Sequence, residues 1–201
     1  MKGVILAGGK GTRFEGEKEK QLKEVGDKKL IDRVLRALKD SALSKVFIAV
    51  SDNSPNTWKY CKQNNLNIIE TEGESYHKDL KNISKEFNNP FLTAASDIPF
   101  ITTEEINKLI KEKTKNSLTL ITPKFLVPRG FKIDNSIRVK EIESVPCGIN
   151  IVGKTKENEF KFTTNPLAGI NINTKQELNL ANNIIKLNNQ DNQKHKINTQ
   201  K

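Results

Sequence analysis

Short unbroken runs of apolar residues alternate along this chain with longer stretches whose apolar positions recur every three or four residues. Residues 4–7, 46–50, 91–95 and 118–121 are of the first kind, and residues 67–70 form a shorter one. Such runs suit strands covered on both faces. Leu30, Ile31, Val34, Leu35 and Leu38 have helical spacing, as do Tyr76, Leu80, Ile83 and Phe87. Boundary signals agree with these assignments. Ser54-Pro55 reads as an N-cap with proline at the first helical position. Thr102 with Glu105 forms a capping box ahead of Ile106, Leu109 and Ile110. Thr174 with Glu177 forms a second, ahead of Leu178, Ala181, Ile184 and Ile185.

Strands alternating with helices predict a mostly parallel sheet with right-handed crossovers. The expected fold is therefore α/β, a single-domain, Rossmann-like three-layer sandwich over residues 1–187. Residues 188–201 are polar apart from Ile197 and are expected to be a disordered tail. Residues 122–143, with Pro123, Pro128 and Gly130, interrupt the alternation as a basic, irregular stretch. It reads equally as a lid or as a surface excursion.

Composition narrows the class. A chain of 201 residues suits one α/β domain with a substantial core. Cys61 and Cys147 lie far apart and in no C-x-x-C pair, which argues against a zinc site or disulfide framework and for burial. The apolar run at residues 3–7 is too short for the core of a signal peptide, and no run reaches the length of a membrane span. A cytoplasmic enzyme is the expectation. The net charge of +10 raises the question of nucleic acid. Aromatic residues are sparse and not interleaved with basic ones, so a lysine-rich surface with phosphate-binding cations is the better reading.

The chemistry concentrates after the first strand, in Leu6-Ala7-Gly8-Gly9-Lys10-Gly11-Thr12-Arg13. Three glycines in four positions let the backbone turn sharply and approach a ligand. Free N–H groups in such a turn favour anions, and Lys10 and Arg13 add positive charge. The loop is not a P-loop, because no Gly-Lys-Ser/Thr follows, nor a dinucleotide fingerprint, because Phe14 stands where the last glycine belongs. It describes a polyphosphate site, such as a nucleoside triphosphate needs. Asp97 directly follows the strand at 91–95, at the sheet edge where ligands bind. There it suits Mg²⁺ or, equally, a turn before Pro99. Asn171 and Asn173 alternate with isoleucines, so an extended segment would turn both amides to one side. Gly73 and Ser75 lie in another strand-to-helix loop at this edge. Gly73 permits close approach, and Ser75 either contacts a ligand or caps the next helix. Asp52, Asn53 and Ser54 carry the same ambiguity. His77 and His195, the two histidines, lie in no nucleophile–base arrangement.

The pattern L-A-G-G-x-G-T-R with a later lysine resembles the nucleotidyltransferases of the molybdopterin guanylyltransferase-like superfamily, which activate sugars and cofactors. That resemblance implies that the loop, Leu6 to Thr12, wraps a triphosphate, that Arg13 holds the outer phosphates and that Lys20 sits near the α-phosphate, with Lys18 as its competitor. The family usually has proline after this lysine, where this chain has Gln21. Resemblance also implies a metal shared by Asp97 with Asn171 first and Asn173 second, and a base and ribose lined by Gly73 and Ser75. Val145-Pro146-Cys147-Gly148-Ile149-Asn150 and the later Gly169-Ile170-Asn171-Ile172-Asn173-Thr174 are similar to archaeal adenosylcobinamide-phosphate guanylyltransferases. This implies GMP transfer from GTP to adenosylcobinamide phosphate, with Mg²⁺ as cofactor. The acceptor would lie over Pro146, Gly148 and Asn150, with Gly148 either facing the acceptor or serving a bulge. No membrane partner or nucleic acid is implied, and the oligomeric state is left open. The other readings are a relative acting on molybdopterin or a sugar phosphate, and a non-catalytic nucleotide- or nucleic-acid-binding protein.

Overall fold

The computed structural model describes residues 1–9, 14, 19–87, 90–112 and 114–198, with side chains to residue 190. Four parallel strands form one half of its main sheet: β5 (Ile68–Glu70), β4 (Lys45–Val50), β1 (Lys2–Leu6) and β6 (Phe91–Ala95), in that spatial order. Next to β6 runs β9 (Ile142–Val152), antiparallel, then β7 (Ser117–Pro123), antiparallel to β9, and β10 (Asn158–Phe162), parallel to β7. The short β8 (Ile137–Val139) pairs with the start of β9. A separate two-stranded hairpin, β2 (Glu24–Val25) and β3 (Lys28–Lys29), precedes the first helix.

The helices α1 (Leu30–Lys39), α2 (Pro55–Gln63) and α4 (Thr103–Ile110) cover one face of the sheet. Their Val34, Leu38, Cys61, Ile106 and Leu109 meet Ile5, Ile48, Leu92 and Ile149. Successive strand residues point to opposite faces, so Val4, Ala49 and Phe91 are left to the other side. There α3 (Tyr76–Glu86) packs Ile83 on them, joined by Phe87. This is the three-layer sandwich expected, and both capping boxes form. A third cluster joins Phe14, Val25, Leu30, Ile170, Ile172 and Ala181. It fastens α5 (Lys175–Asn198) and the segment before it to the hairpin.

Differences from the sequence reading have simple causes. Strand β1 ends at Leu6, although the Ala7 N–H still donates to Ala49 O at 2.9 Å. Strand β10 alternates charged and aromatic residues at a sheet edge and lacks a continuous apolar run. Residues 122–143 include the end of β7, a 3₁₀ turn at Lys124–Leu126 and β8, so the stretch is less irregular than its prolines suggest. Helix α5 continues to Asn198, past the boundary at 187 where apolar periodicity fades. No helix among the described residues is long and apolar enough to cross a membrane.

Candidate active site

A cavity of about 820 Å³ opens at the carboxyl edge of the parallel strands. Among the residues singled out above, Leu6, Ala7, Gly8, Gly9, Lys20, Gly73, Ser75, Asp97, Pro146, Gly148, Asn150 and Asn171 line it. Asn173 lines an adjoining space of about 230 Å³ that shares Asp97, Pro146, Gly148 and Asn171 with the first. Lys10, Gly11, Thr12, Arg13 and Lys18 lie outside the described residues.

The glycine side is held by hydrogen bonds between loops. Ser51, just beyond β4, donates from Oγ to Gly8 O at 2.6 Å, and the same oxygen accepts from Asn53 N at 3.2 Å. Asn53 Nδ2 donates to Gly73 O at 3.0 Å, while Gly73 N donates to Asp79 Oδ1 at 3.0 Å. Three strand-end loops are thereby tied into one rim. Gly73 has φ +65°, and a Cβ there would stand 2.3 Å from Ser51 Oγ, so glycine is required by both conformation and space. Ser75 caps α3, accepting from Lys78 N at 3.3 Å, and also lines the cavity. Ser51 had no distinguishing signal in the sequence; its serine is one of several near a strand end.

Lys20 is the centre of the polar cluster. Its Nζ lies 2.6 Å from Asp97 Oδ2 and donates to Asn173 Oδ1 at 2.5 Å. Asn173 in turn donates from Nδ2 to Asp134 Oδ2 at 3.3 Å, and its N–H is held by Glu177 Oε2 at 2.7 Å. Ile172 N donates to Asp97 O at 2.9 Å, binding the 170–173 segment to the end of β6. Two oxygens in this cluster are buried without any hydrogen-bond partner: Asp97 Oδ1 and Asn171 Oδ1. Buried acceptors are ordinarily satisfied. A carboxylate oxygen and an amide oxygen left bare beside a polyphosphate-sized cavity are the donor set a hard divalent cation takes, completed by substrate phosphates and water. The residues therefore fit such an ion. Among the described residues no three His, Cys, Asp or Glu side chains are grouped as a self-sufficient metal centre.

The chain enters Lys20 through Glu19, which has φ 66° and is only 4% exposed. Its carboxylate caps α2 from a distant part of the chain. Oε1 accepts from Asn56 N at 3.0 Å and Asn56 Nδ2 at 2.9 Å. Oε2 accepts from Thr57 N at 2.5 Å and Thr57 Oγ1 at 2.7 Å. Ser54 does occupy the N-cap position, but its hydroxyl is turned back to Ser51 O and caps nothing. Gln21 donates from Nε2 to Ala7 O at 3.1 Å and Thr57 Oγ1 at 2.8 Å. Lys20 is thus flanked by two buried anchors.

On the opposite wall, Pro146, Gly148 and Asn150 come from the middle and second half of β9, on either side of an irregularity in its pairing with β7. That glycine has φ +72°, and a Cβ on it would meet Ala95 Cβ at 3.1 Å and Ile98 Cγ2 at 3.2 Å. It faces the core as a bulge glycine while its backbone lines the cavity, so the reading in which its substituent would point at the acceptor is corrected. Asn150 Nδ2 donates to the Tyr76 hydroxyl at 3.4 Å.

Among the described residues no cysteine or histidine lines the cavity. Cys61 and Cys147 are buried elsewhere, and burial pushes the Cys61 thiol up to about 11 and the Cys147 thiol higher still. His77 packs edge-on against the Tyr76 ring.

A mixed sheet with its cavity at the carboxyl edge of the parallel strands, a lysine–aspartate pair and a bare carboxylate oxygen agree with a nucleotidyltransferase. The chain belongs to the MobA-like NTP transferase family, which matches residues 3–130. It is 34% identical over 201 aligned positions to the adenosylcobinamide-phosphate guanylyltransferase of Methanocaldococcus jannaschii, covering 92% of this chain and 98% of that one. Solved structures of similar fold include a CMP:2-keto-3-deoxy-manno-octonic acid synthetase complexed with CTP, with TM-score 0.67 and 11% identity over 94% of this chain and 98% of that one. Another is 4-diphosphocytidyl-2C-methyl-D-erythritol synthase from Anaerococcus prevotii, with TM-score 0.62 and 13% identity over 92% of this chain and 95% of that one.

Proposed function

We propose that this protein transfers GMP from GTP to adenosylcobinamide phosphate, giving adenosyl-GDP-cobinamide and pyrophosphate. The observation that carries the reading is the cluster of Lys20, Asp97 and Asn171 at the end of the glycine-loop cavity, together with near full-length similarity to a guanylyltransferase of that name. An oxygen of the acceptor's phosphate monoester attacks the α-phosphorus of GTP. A new P–O bond forms there as the bond to the bridging oxygen of the pyrophosphate breaks. The attacking oxygen is already anionic at neutral pH, so no general base is needed, in keeping with the lack of a histidine or cysteine among the described residues of the cavity. Catalysis is then alignment and charge neutralisation.

Each residue has a distinct task in this scheme. The glycine loop, residues 8–12, cradles the triphosphate with backbone N–H groups, and Arg13 holds the outer phosphates. Lys20 neutralises charge at the α-phosphate; Glu19 and Gln21 fix the backbone on either side of it. Gly73 brings the 71–75 backbone against the base and ribose. Asp97 Oδ1 and Asn171 Oδ1 would hold Mg²⁺, with Asn173 steering Lys20. When bound, the ion offsets negative charge on the phosphates. Pro146, Gly148 and Asn150 form the acceptor wall.

Pyrophosphate release from GTP, followed with adenosylcobinamide phosphate, molybdopterin and a sugar phosphate in parallel, tests this reading. Release should require the cobinamide acceptor, and Arg13→Ala and Lys20→Ala should each lower turnover by at least ~10²-fold, the scale of removing one transition-state donor. Wild-type turnover in both variants, or release driven only by another acceptor, would overturn it.

A further inference from the structure

The cavity does not close at Asn150. In the sheet, Thr93 of β6 pairs with Asn150 of β9, Asn150 with Thr119 of β7, and Thr119 with Phe160 of β10. Paired positions share a face, so these four side chains form a row across four strands. At one end stands Tyr76, 47% exposed, its hydroxyl accepting from Asn150 Nδ2 at 3.4 Å. At the other end is Phe160, 39% exposed at the sheet edge. Between them Thr119 Oγ1 and Asn158 Nδ2 are paired at 3.2 Å.

Thr93 is fully buried, whereas Asn150 and Thr119 are part-exposed and Phe160 is exposed. Helices α1, α2 and α4 lie on the opposite face, and α3 covers β1, β4 and β6. Helix α5 packs against β2 at the carboxyl edge. The result is an open shelf from Asn150 to Phe160, two strand spacings wide, roughly 10 Å. Tyr76 and Asn150 belong to both the shelf and the cavity, so the two are continuous.

We propose that this shelf seats the body of the acceptor, a bulky ring system rimmed by carboxamides, while its phosphate enters the cavity beside Asp97. The proposal rests on the guanylyltransferase reading above. Three features favour this occupant. The row carries no charged side chain, which suits amide arms better than a polyanion. Its central groups are an amide, hydroxyls and a second amide, able to donate to and accept from carboxamides. Aromatic rings at both ends supply apolar area to the faces and edges of a macrocycle. The other side of the cavity is bordered by the tied loops at Gly8, Ser51 and Gly73.

Thr119→Arg and Phe160→Ala provide the test, since both positions are accessible and neither side chain is needed by the core. Each variant is compared with wild type for GTP binding by calorimetry, for KM and kcat with adenosylcobinamide phosphate, for sedimentation, and for direct binding of cobinamide, which lacks the phosphate. The expected result is a KM for the acceptor raised at least ~10-fold, about 1.4 kcal/mol. GTP affinity should stay within ~2-fold and cobinamide binding should weaken in parallel with the rise in KM. Unchanged KM in both variants overturns the shelf. So does a Thr119→Arg chain that sediments as a smaller species with unchanged KM, which would make the face an interface between copies. Failure of the functional reading looks different: wild type would be inert towards adenosylcobinamide phosphate. In that event cobinamide binding by wild type and its loss in Thr119→Arg still supports the shelf, and its absence in wild type refutes it.

Discussion

Glu19→Ala separates the role of Lys20 from the scaffold that presents it. The Glu19 carboxylate receives the Asn56 and Thr57 N–H groups and the Asn56 amide and Thr57 hydroxyl, and no side chain within α2 replaces it. Loss of an N-cap alone costs about 1 kcal/mol. Here the Thr57 donors are also buried, and leaving a buried donor unmet costs about 1–3 kcal/mol. These charges fall on the same groups, so they are counted together as ~3 kcal/mol. For a chain of this size that lowers Tm by roughly 6–12 °C. Glu19→Gln keeps one acceptor oxygen but forfeits the favourable charge at the helix start, about 0.3–1 kcal/mol, and should fall between Ala and wild type. Denaturant unfolding of the three proteins gives the stability ranking. Turnover below the melting range gives the second readout, because Glu19 adjoins Lys20 and its release lets Nζ leave Asp97; kcat should fall at least ~10-fold. A Glu19→Ala protein within ~0.5 kcal/mol of wild type, with unchanged kcat, would refute the anchoring argument.

Two further substitutions test the site. Asn171→Leu removes a buried acceptor that has no partner, so unfolding free energy should be unchanged or higher, while Mg²⁺-dependent turnover drops by at least ~10-fold. A stability loss with full activity would make Asn171 structural. Gly73→Ala, forced against Ser51 at φ +65°, should lose GTP binding in calorimetry and cost about 1–3 kcal/mol of stability, whereas tight binding in the variant would show that the 71–75 rim plays no part in it.

The parallel half of the sheet was legible because β1, β4 and β6 are buried on both faces and so are apolar at successive positions. The capping boxes at Thr102 and Thr174 were legible because their partners lie three residues away. Glu19 was not, since its partners Asn56 and Thr57 are 37 and 38 residues distant and a carboxylate can cap any helix that reaches it. Ser51 escaped for the same reason. Asp97 stood out by following a buried strand, and the structure sets Lys20 and Asn173 within a hydrogen bond of one another beside it. Gly148 shows the limit of residue type as a signal: glycine marked an unusual position correctly, but only coordinates reveal that the missing side chain would have faced Ile98.

Strand β9 runs against its neighbours. Reversal brings the beginning of β9, rather than its end, to the edge where the parallel strands finish. The cavity is therefore lined from stretches far apart in the chain, with Leu6 to Asp97 on one side and Pro146 to Asn150 on the other. Under the proposed function, an exchange confined to β9 would remodel the acceptor wall while leaving the glycine loop, Lys20 and Asp97 as they are.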